Sequence, residues 1–551
     1  MERQKKFELW TIVSIVLFLL FMLVLVYPMF GILKQAVYDA EGNFTFANFS
    51  KFFEKKYYTN TILNSFKSTL CVTLISLIIG TVLSYFYSFY RLKGAKVIFV
   101  VSILCCMSAP FLGALSWIML LGRNGVITKF IKKAFKIKLG SIYGFKGILL
   151  VQSLKYFPLA FIYMNGAFRN IDNSLLEASA NMGCTGIKRF FKIILQLSMP
   201  TLLAAALMVF MRAFADFGTP MIIGEGYRTF PVEIYNQYLG ENGRDYGFAA
   251  AVSIIAIVIT ALVFFLQQWA TGKYKFSISA LHPVEKKKAK GIGGFFMHFY
   301  AYLLIFLGFA PNLYIIYLSF VNSDGAVFMK GFSLKNYQLA AKKLLVRSIT
   351  NTIWFGIAAL AIIILISVMV AYLVVRRSNA VNHAIDSMSM LPYIMPGAVV
   401  GIALVMAFGA KPFALTGTVF IMILNFVVRR MPYTIRSASA TLMSISPSIE
   451  EAAISLGASK AKTFTRITVP MMSSGIVSGA ILSWVAIVTE LSGSIILYNN
   501  KTITLTMSTY VNINRGNYGI ACAFAAILQV VTILSLLVYI KVSGNEDDIH
   551  L

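Results

Sequence analysis

Five ionisable residues lie inside long apolar stretches of this sequence, where a charge is unfavourable. A charged side chain at the centre of a membrane-spanning helix costs about 2.5–3.5 kcal/mol on insertion scales, and it usually pairs with another charge or faces a cavity. We therefore expect one ion pair in each half of the chain, framing a pathway through the membrane. The alternatives are that these charges only fix helix packing or extend to a membrane interface. The expected pairs are Lys155 with Asp216 and Arg429 with Glu490, and Arg430 lies beside the second pair.

A short pattern of residues occurs once in each half. A shift of 274 positions places residues 172–178 on residues 446–452 and Gly183 on Gly457. Because glycine adopts left-handed backbone angles at low cost, each copy is typical of a helix, a break and a second helix. An apolar face on such a helix fits a groove of a partner protein, and an ordinary interfacial helix is the alternative. The residues expected to contact the partner are Glu177, Ala178, Gly183, Ile193, Glu451, Ala452, Ala453, Gly457, Ile467 and Pro470.

No pattern in the sequence indicates catalysis or a bound cofactor. There is no glycine-rich phosphate-binding loop that ends in Gly-Lys-Ser or Gly-Lys-Thr. The four histidines are scattered and the five cysteines form no CxxC pair, so neither a metal site nor a disulfide framework is expected. We therefore expect no catalytic residue, no metal site and no cofactor on this chain, and we place any energy-yielding reaction in another subunit.

Membrane-spanning helices are the elements that must position these residues. The chain has 551 residues, of which 58% are hydrophobic and 13% are charged, whereas soluble proteins carry about 25% charged residues. Many apolar runs reach the roughly 20 residues that cross a hydrocarbon core. The sequence therefore predicts an all-α polytopic membrane protein with about twelve spans. The predicted spans are 10–33, 68–90, 97–121, 147–168, 201–224, 248–270, 295–320, 349–375, 385–409, 414–433, 470–497 and 518–541.

The charge pattern predicts the orientation of the chain. The net charge is +28, and the basic residues lie mainly between apolar runs, so we expect contact with membrane lipids and no nucleic acid. Placing the basic short loops inside puts both termini in the cytoplasm. Loop 122–146 is an exception to this rule, because it is basic and must face outward in this orientation. It is then either an electropositive collar for an anionic ligand or acidic partner, or a simply solvated loop. Its basic residues are Arg123, Lys129, Lys132, Lys133, Lys136, Lys138 and Lys146.

The repeat predicts two six-helix halves with the same orientation, related by an axis along the membrane normal. A shift of 286–287 aligns the earlier elements, for example Tyr85 with Tyr372 and Pro110 with Pro396. The predicted boundaries are a first half at 1–275, a basic cytoplasmic linker at 276–294 and a second half at 295–551. The repeated motif occupies loops near 170–198 and 444–470.

The two motif copies resemble a motif of ABC importer permeases, which reads E-A-A, three residues, Gly, nine residues, Ile-x-Leu-Pro. The second copy has Val469 in the Leu place, and the first departs at Ser179 and at Gln196, where the proline is expected. The resemblance implies a transport subunit of the bacterial inner membrane without a nucleotide site. It also implies two copies of an ATPase subunit, which use ATP and Mg and dock on the two motif copies. A periplasmic or lipid-anchored substrate-binding protein would deliver the cargo.

The fused two-half form and the segment 215–220 resemble the ferric-iron group of these permeases. Ferric iron is therefore the expected cargo, and permeases for thiamine, aminoethylphosphonate and sugar phosphate share the architecture. A secondary transporter driven by an ion gradient is the alternative from a different class. It would explain the spans and the buried charges but not the paired motif, and the sequence shows no clear helix-breaking ion site in matched spans.

Overall fold

The computed structural model describes residues 9–39, 41–137, 140–239, 245–273, 284–342 and 344–543. Its first half is helical, as the long apolar runs predict. The helices are α1 (Leu9–Phe21), α2 (Tyr27–Val37), α3 (Ala47–Glu54), α4 (Lys56–Phe89), α5 (Ala95–Met107), α6 (Pro110–Leu121), α7 (Val126–Phe135), α8 (Phe145–Arg169), α9 (Asn173–Asn181), α10 (Gly186–Arg189), α11 (Leu195–Leu197), α12 (Met199–Phe214), α13 (Gly218–Ile223), α14 (Phe230–Leu239) and α15 (Tyr246–Lys273).

The second half repeats this order of elements. Its helices are α16 (Gly291–Ser319), α17 (Lys335–Lys342), α18 (Leu345–Arg376), α19 (Ala380–Ile394), α20 (Gly397–Phe408), α21 (Val419–Ser444), α22 (Ser448–Ser455), α23 (Lys460–Thr463), α24 (Val469–Met471), α25 (Ser473–Val488), α26 (Ser494–Leu497), α27 (Leu505–Asn514) and α28 (Tyr518–Ser543). Three π-helical turns lie at Met22–Val26, Phe190–Ile194 and Phe464–Thr468. Short strands β1 (Tyr90–Arg91) and β2 (Lys287–Lys288) pair in parallel, and β3 (Val321–Asp324) and β4 (Val327–Phe332) pair antiparallel.

All twelve predicted spans fall on helices, which confirms the all-α polytopic fold. Within the described ranges, eight helices are long and apolar enough to cross a membrane, and three bent pairs raise this number to as many as eleven. The tenth predicted span, 414–433, corresponds to α21, which begins later and continues to Ser444.

Two matched spans, the third and the ninth, are broken at the same place in each half. The third span divides into α5 and α6, and the ninth divides into α19 and α20 with a bend of 114°. The residues before Pro110 and Pro396 are extended, with ψ of 130° at Ala109 and 134° at Met395. A residue that precedes proline is pushed out of the helical region, so both breaks follow from the aligned prolines.

The chain divides into two compact units, and the residues in each unit do not coincide with the predicted sequence halves. The first unit contains Met1–Phe52, Ile234–Ile257 and Ser319–His550, and the second contains Phe53–Glu233 and Val258–Leu318. The first unit therefore combines the N-terminal helices with most of the second half, and the second unit combines α16 with most of the first half. The boundaries predicted from the repeat describe the sequence and stay a prediction.

Specific contacts hold the exchanged helices within each unit. In the first unit, the Trp10 ring lies 4.5 Å from the ring of Tyr372 and 4.8 Å from that of Phe464. In the second unit, the Ser116 hydroxyl on α6 donates to the Pro311 carbonyl on α16 at 2.6 Å. The first long helix of each sequence half therefore packs in the unit that contains most of the other half.

Small residues allow close helix packing in both units, as is common in membrane proteins. In the second unit, a Cβ atom on Gly80 of α4 would lie only 2.6 Å from the Cβ of Ala160 on α8. In the first unit, a Cβ atom on Gly479 of α25 would lie 2.7 Å from the Cα of Thr434 on α21. The α21–α25 pair, which carries Arg429 and Arg430 and leads to Glu490, is thus packed closely, and so is α8, which carries Lys155, against α4.

The basic segment 122–146 is partly helical instead of a loop. Helix α7 forms there because apolar residues recur at helical spacing between the lysines. Val126, Phe130 and Phe135 are exposed, a combination typical of a helix that lies in a membrane interface. Arg123 pairs with Glu225 at 2.7 Å, and Lys138 lies outside the described residues.

Candidate functional site

Each copy of the repeated motif folds into two short helices joined by a left-handed glycine. In the first copy, α9 is followed by Gly183 with φ of +75° and then by α10. In the second copy, α22 is followed by Gly457 with φ of +87° and then by α23. A side chain at either glycine would strain the backbone, so the sequence requires glycine at both breaks. We name these two segments, 173–189 and 448–463, the coupling helices.

The coupling helices expose an apolar tip directly before each glycine. Met182 is 78% exposed, and Leu456, its counterpart at the shift of 274, is 89% exposed. Glu177 and Glu451 are also exposed, whereas Ala453 is buried. The surface that a partner can contact therefore lies on Ile454 and Leu456 rather than on Ala453.

The remaining motif residues divide between exposed and half-buried positions. The exposed residues are Ala178, Ala452 and Pro470. The half-buried residues are Ile193 and Ile467.

An ion pair anchors the second coupling helix, and sequence reasoning missed it. The Arg376 guanidinium at the end of α18 donates to Glu450 Oε1 at 3.0 Å and to the carbonyls of Leu442 and Ile445 at 3.3 and 2.7 Å. The side chains of Arg376 and Glu450 are only 10% and 12% exposed. The sequence signal was present in the Glu450–Glu451 pair, but it did not tell which glutamate turns inward.

Apolar packing anchors the first coupling helix instead. Leu176 corresponds to Glu450 at the shift of 274, and it is 4% exposed. It packs in a cluster with Phe89, Phe168, Ile171 and Ile194. The two coupling helices thus share a shape but differ in the chemistry that holds them.

Glu490 is the centre of a buried charge cluster in the first unit. Its side chain is 1% exposed and contacts the guanidinium groups of both Arg429 and Arg430, which are 12% and 15% exposed. Glu490 Oε1 also accepts from the Gly493 backbone N–H at 3.0 Å. The structure therefore brings Arg429 and Glu490 together, and it adds Arg430 as a second cation on the same carboxylate.

The counterpart in the first half lacks the expected direct pair of Lys155 with Asp216. Asp216 accepts from Gln152 Nε2 at 3.1 Å and from the Thr219 hydroxyl at 2.7 Å. The Lys155 ammonium lies instead over the ring of Tyr156, 5.2 Å from its centroid. Gln152 and Thr219 therefore take the place at the Asp216 carboxylate that was expected for Lys155.

Both carboxylates lie where a span is interrupted. Asp216 follows α12 and accepts from the Thr219 N–H, and Glu490 follows α25 and accepts from the Gly493 N–H, three residues on in each case. A carboxylate at this position satisfies a backbone donor at the start of the next short helix. The repeat therefore places a carboxylate at the same break in each half.

Lys155 lines a cleft of the second unit beside the break in the third span. The other lining residues include Cys105, Ser108, Val151, Gly308 and Asn312. Within the described part of the chain, no three His, Cys, Asp or Glu residues come together as a metal site.

Two further polar contacts lie at segment ends, outside the spans. In the second unit, the fully buried Glu233 accepts from the Tyr57 hydroxyl at 3.3 Å. In the first unit, Lys51 pairs with Asp245 at 2.6 Å, and the Phe248 N–H donates to the same carboxylate at 2.9 Å. Partial burial acts to raise the pKa of Asp245, but these hydrogen bonds and the Lys51 charge outweigh it, so the pKa lies below its ordinary value.

Comparisons with known proteins place the chain in a family. The family described as binding-protein-dependent transport system inner membrane component matches residues 5–275 and 363–542. The chain is 29% identical to the ferric transport system permease protein FbpB of Actinobacillus pleuropneumoniae, over 99% of this chain and 80% of that protein.

Two other relatives extend the comparison. A putative ferric transport system permease protein, FbpB 1 of Haemophilus influenzae, is 27% identical over 90% of this chain and 79% of its own length. A putative 2-aminoethylphosphonate transport system permease protein, PhnU of Salmonella typhi, is 25% identical over 45% of this chain and 86% of its own length. The double family match agrees with the two sets of coupling helices. The chain therefore belongs to the binding-protein-dependent transport system inner membrane components, as a multi-pass permease of an ABC importer in which two permease halves are fused.

Proposed function

We propose that this permease imports ferric iron, delivered by a substrate-binding protein and driven by two ATPase subunits that use ATP and Mg. Similarity to a ferric transport permease along 99% of the chain carries the iron assignment. Membership of the family implies the ATPase and the binding protein as partners. This chain then supplies the pathway and the coupling surfaces, while ATP hydrolysis takes place in the partner subunits.

The coupling helices are the proposed docking sites for the ATPase subunits, one on each. Their exposed tips, Met182 and Leu456, project apolar side chains that suit a groove on a partner. With the coupling helices in the cytoplasm, both termini also lie there. This orientation keeps most of the basic loops on the inner side and leaves the basic segment 122–146 on the outer side.

The proposed mechanism is alternating access. Closure of the two ATPases on ATP moves the coupling helices, and the spans change between inward-open and outward-open states. Shifting such an equilibrium from 1:99 to 99:1 needs about 5.5 kcal/mol of differential binding. The anchors of the coupling helices, the Arg376–Glu450 pair and the cluster around Leu176, supply the rigid connection to the spans.

Uptake of radioactive iron tests the cargo. A strain that lacks this chain is complemented with it, and ⁵⁵Fe accumulation is measured in cells whose ATPase subunit is active or carries an inactivated nucleotide site. We expect accumulation only with the active ATPase. Uptake of labelled 2-aminoethylphosphonate, but not of iron, would replace iron with the second candidate cargo, which the similarity to a phosphonate permease over 45% of the chain supports.

A further inference from the structure

We infer that Asn425, together with Arg429 and Arg430, forms a binding site for a tetrahedral oxyanion such as phosphate or phosphonate. Iron would then cross the membrane with an oxyanion bound rather than as a bare cation. This inference deepens the proposed function, and its transport part rests on that proposal. Its binding part rests only on the geometry of the first unit.

The Asn425 side chain is the first observation. It lies on α21, one turn before Arg429, and it is fully buried. Among the residues that the structure describes, neither its amide oxygen nor its amide nitrogen has a hydrogen-bond partner. Buried amides are nearly always hydrogen-bonded in native proteins, so an unpaired one calls for a ligand or a bound water.

The surrounding backbone is shaped to leave room for these groups. A Cβ atom on Gly493 would lie 3.1 Å from Asn425 Nδ2, and one on Gly397 would lie 2.6 Å from the Arg429 Cζ. Any larger residue at either glycine would displace the amide or the guanidinium. The two glycines therefore let the Asn425 amide and the Arg429 guanidinium lie directly against the backbone at Gly493 and Gly397.

The charge balance of the cluster favours an anion. Two guanidinium groups contact the single carboxylate of Glu490, so these three side chains together carry one excess positive charge. Glu490 Oε1 is already shared by Arg429 and the Gly493 N–H, and Oε2 accepts from Arg430. Within the described part of the chain, the Arg429 Nε–H has no acceptor.

An oxyanion matches these unmet groups. Its oxygens accept from the Arg429 Nε–H and from Asn425 Nδ2, and arginine is well suited to such planar recognition of phosphate. A singly protonated phosphate also carries one hydroxyl, which donates to Asn425 Oδ1. Chloride has no donor for that oxygen, so the site distinguishes a protonated oxyanion from a simple halide.

The site belongs to the second half only. Val151 occupies the position that corresponds to Asn425 at the shift of 274, and Tyr156 corresponds to Arg430. The carboxylate of the first half, Asp216, is bonded to Gln152 and Thr219. The two halves have thus diverged at the same place, and the divergence adds a cation and an unpaired amide to the second half.

Equilibrium binding of ³²P-orthophosphate to the purified full-length chain in lipid nanodiscs tests the site. We expect saturable binding that 2-aminoethylphosphonate displaces and chloride does not. Asn425→Asp keeps the shape but places a negative charge beside the ligand, and Asn425→Leu removes both amide atoms. We expect each variant to weaken binding at least tenfold.

A matched control removes a charge elsewhere on the same helix. Arg436→Gln breaks the half-exposed pair with Asp386, and it should bind phosphate as the native chain does. Thermal unfolding of every variant verifies that it is folded. Three outcomes would overturn the inference. The native chain binds no phosphate, chloride displaces the phosphate as well as 2-aminoethylphosphonate does, or both folded Asn425 variants bind phosphate as the native chain does.

Double-label uptake separates this inference from the iron proposal. Cells or proteoliposomes with the ATPase and binding protein receive ⁵⁵Fe and ³²P-phosphate together. Entry of both labels at a fixed ratio, lost with Asn425→Asp, supports both proposals. Entry of iron without phosphate overturns the transport part of the inference and leaves the iron proposal standing. Asn425-dependent entry of phosphate without iron supports the site and overturns iron as the cargo.

Discussion

At the scale of single residues, each unit holds a few charged side chains inside its helix bundle. Glu490 lies between Arg429 and Arg430, whereas Asp216 accepts from the neutral donors Gln152 and Thr219. Residue type and the internal repeat were sufficient to predict that Arg429 meets Glu490. They did not predict that Gln152, and not Lys155, contacts Asp216. Which of the two side chains makes this contact depends on how the helices pack.

The Glu490→Gln substitution tests the buried charge cluster. It leaves two nearly buried guanidinium groups without this counter-charge, and breaking a buried ion pair in this way costs about 3–5 kcal/mol. We expect a clear drop in the thermal unfolding midpoint of the purified chain. Asp216→Asn is the matched control and should have a smaller effect, since an amide oxygen can still accept from Gln152 and Thr219. Equal losses in the two variants would contradict this assignment.

The Lys51–Asp245 pair predicts a pH dependence of stability. The pKa of Asp245 is lowered in the folded protein, so its contribution is fully present above the unfolded value of about 3.9. That contribution is lost as the pH falls through the lower folded pKa. Unfolding midpoints of the native chain and of Lys51→Met, measured from pH 7 to the lowest pH that the folded chain tolerates, should differ at neutral pH and converge in acid. A constant difference across that range would contradict the pairing.

At the scale of elements, the breaks in the helices place the functional groups. The prolines at 110 and 396 interrupt the third and ninth spans, and the glycines at 183 and 457 interrupt the coupling helices. The glycine breaks were predicted because their backbone requirement is local. The proline breaks follow from an equally local rule, but the apolar runs continue through them, so hydropathy alone gave uninterrupted spans.

Arg376→Lys tests the anchor of the second coupling helix. Lysine keeps the charge near Glu450 but cannot also hold the carbonyls of Leu442 and Ile445. A hydrogen bond to a charged group contributes about 1.5–3 kcal/mol, so local opening of α22 should become about tenfold more frequent or more. Hydrogen exchange measured by mass spectrometry should show faster exchange in α22 and unchanged exchange in α9. Unchanged exchange in α22 would show that Arg376 is not the anchor.

At the scale of the whole molecule, each compact unit combines helices from both halves of the sequence. The repeat in the sequence predicted two halves and the order of their elements. It did not predict which long helix packs with which half, because that outcome depends on contacts between residues hundreds of positions apart. The aromatic contacts of Trp10 with Tyr372 and Phe464 are one such case.

Trp10→Ala tests the packing of the N-terminal helix in the first unit. Each aromatic pair contributes about 0.5–1.5 kcal/mol beyond its buried area. We expect proteolysis of the folded variant to become faster near Phe464 and to stay unchanged in the first coupling helix. Trp354→Ala is the matched control, because it removes an exposed tryptophan ring from the same unit. Equal rates of proteolysis near Phe464 in the Trp10 and Trp354 variants would contradict this packing.

Force transfer through two coupling helices is the central claim, and ATP-driven uptake by a double variant tests it most directly. Met182→Asp with Leu456→Asp places a charge on each exposed tip without disturbing a buried contact. In proteoliposomes that contain the binding protein and the ATPase, we predict a folded permease that no longer retains the ATPase and imports no ⁵⁵Fe above background. Normal ATPase retention and iron import by the double variant would contradict the account.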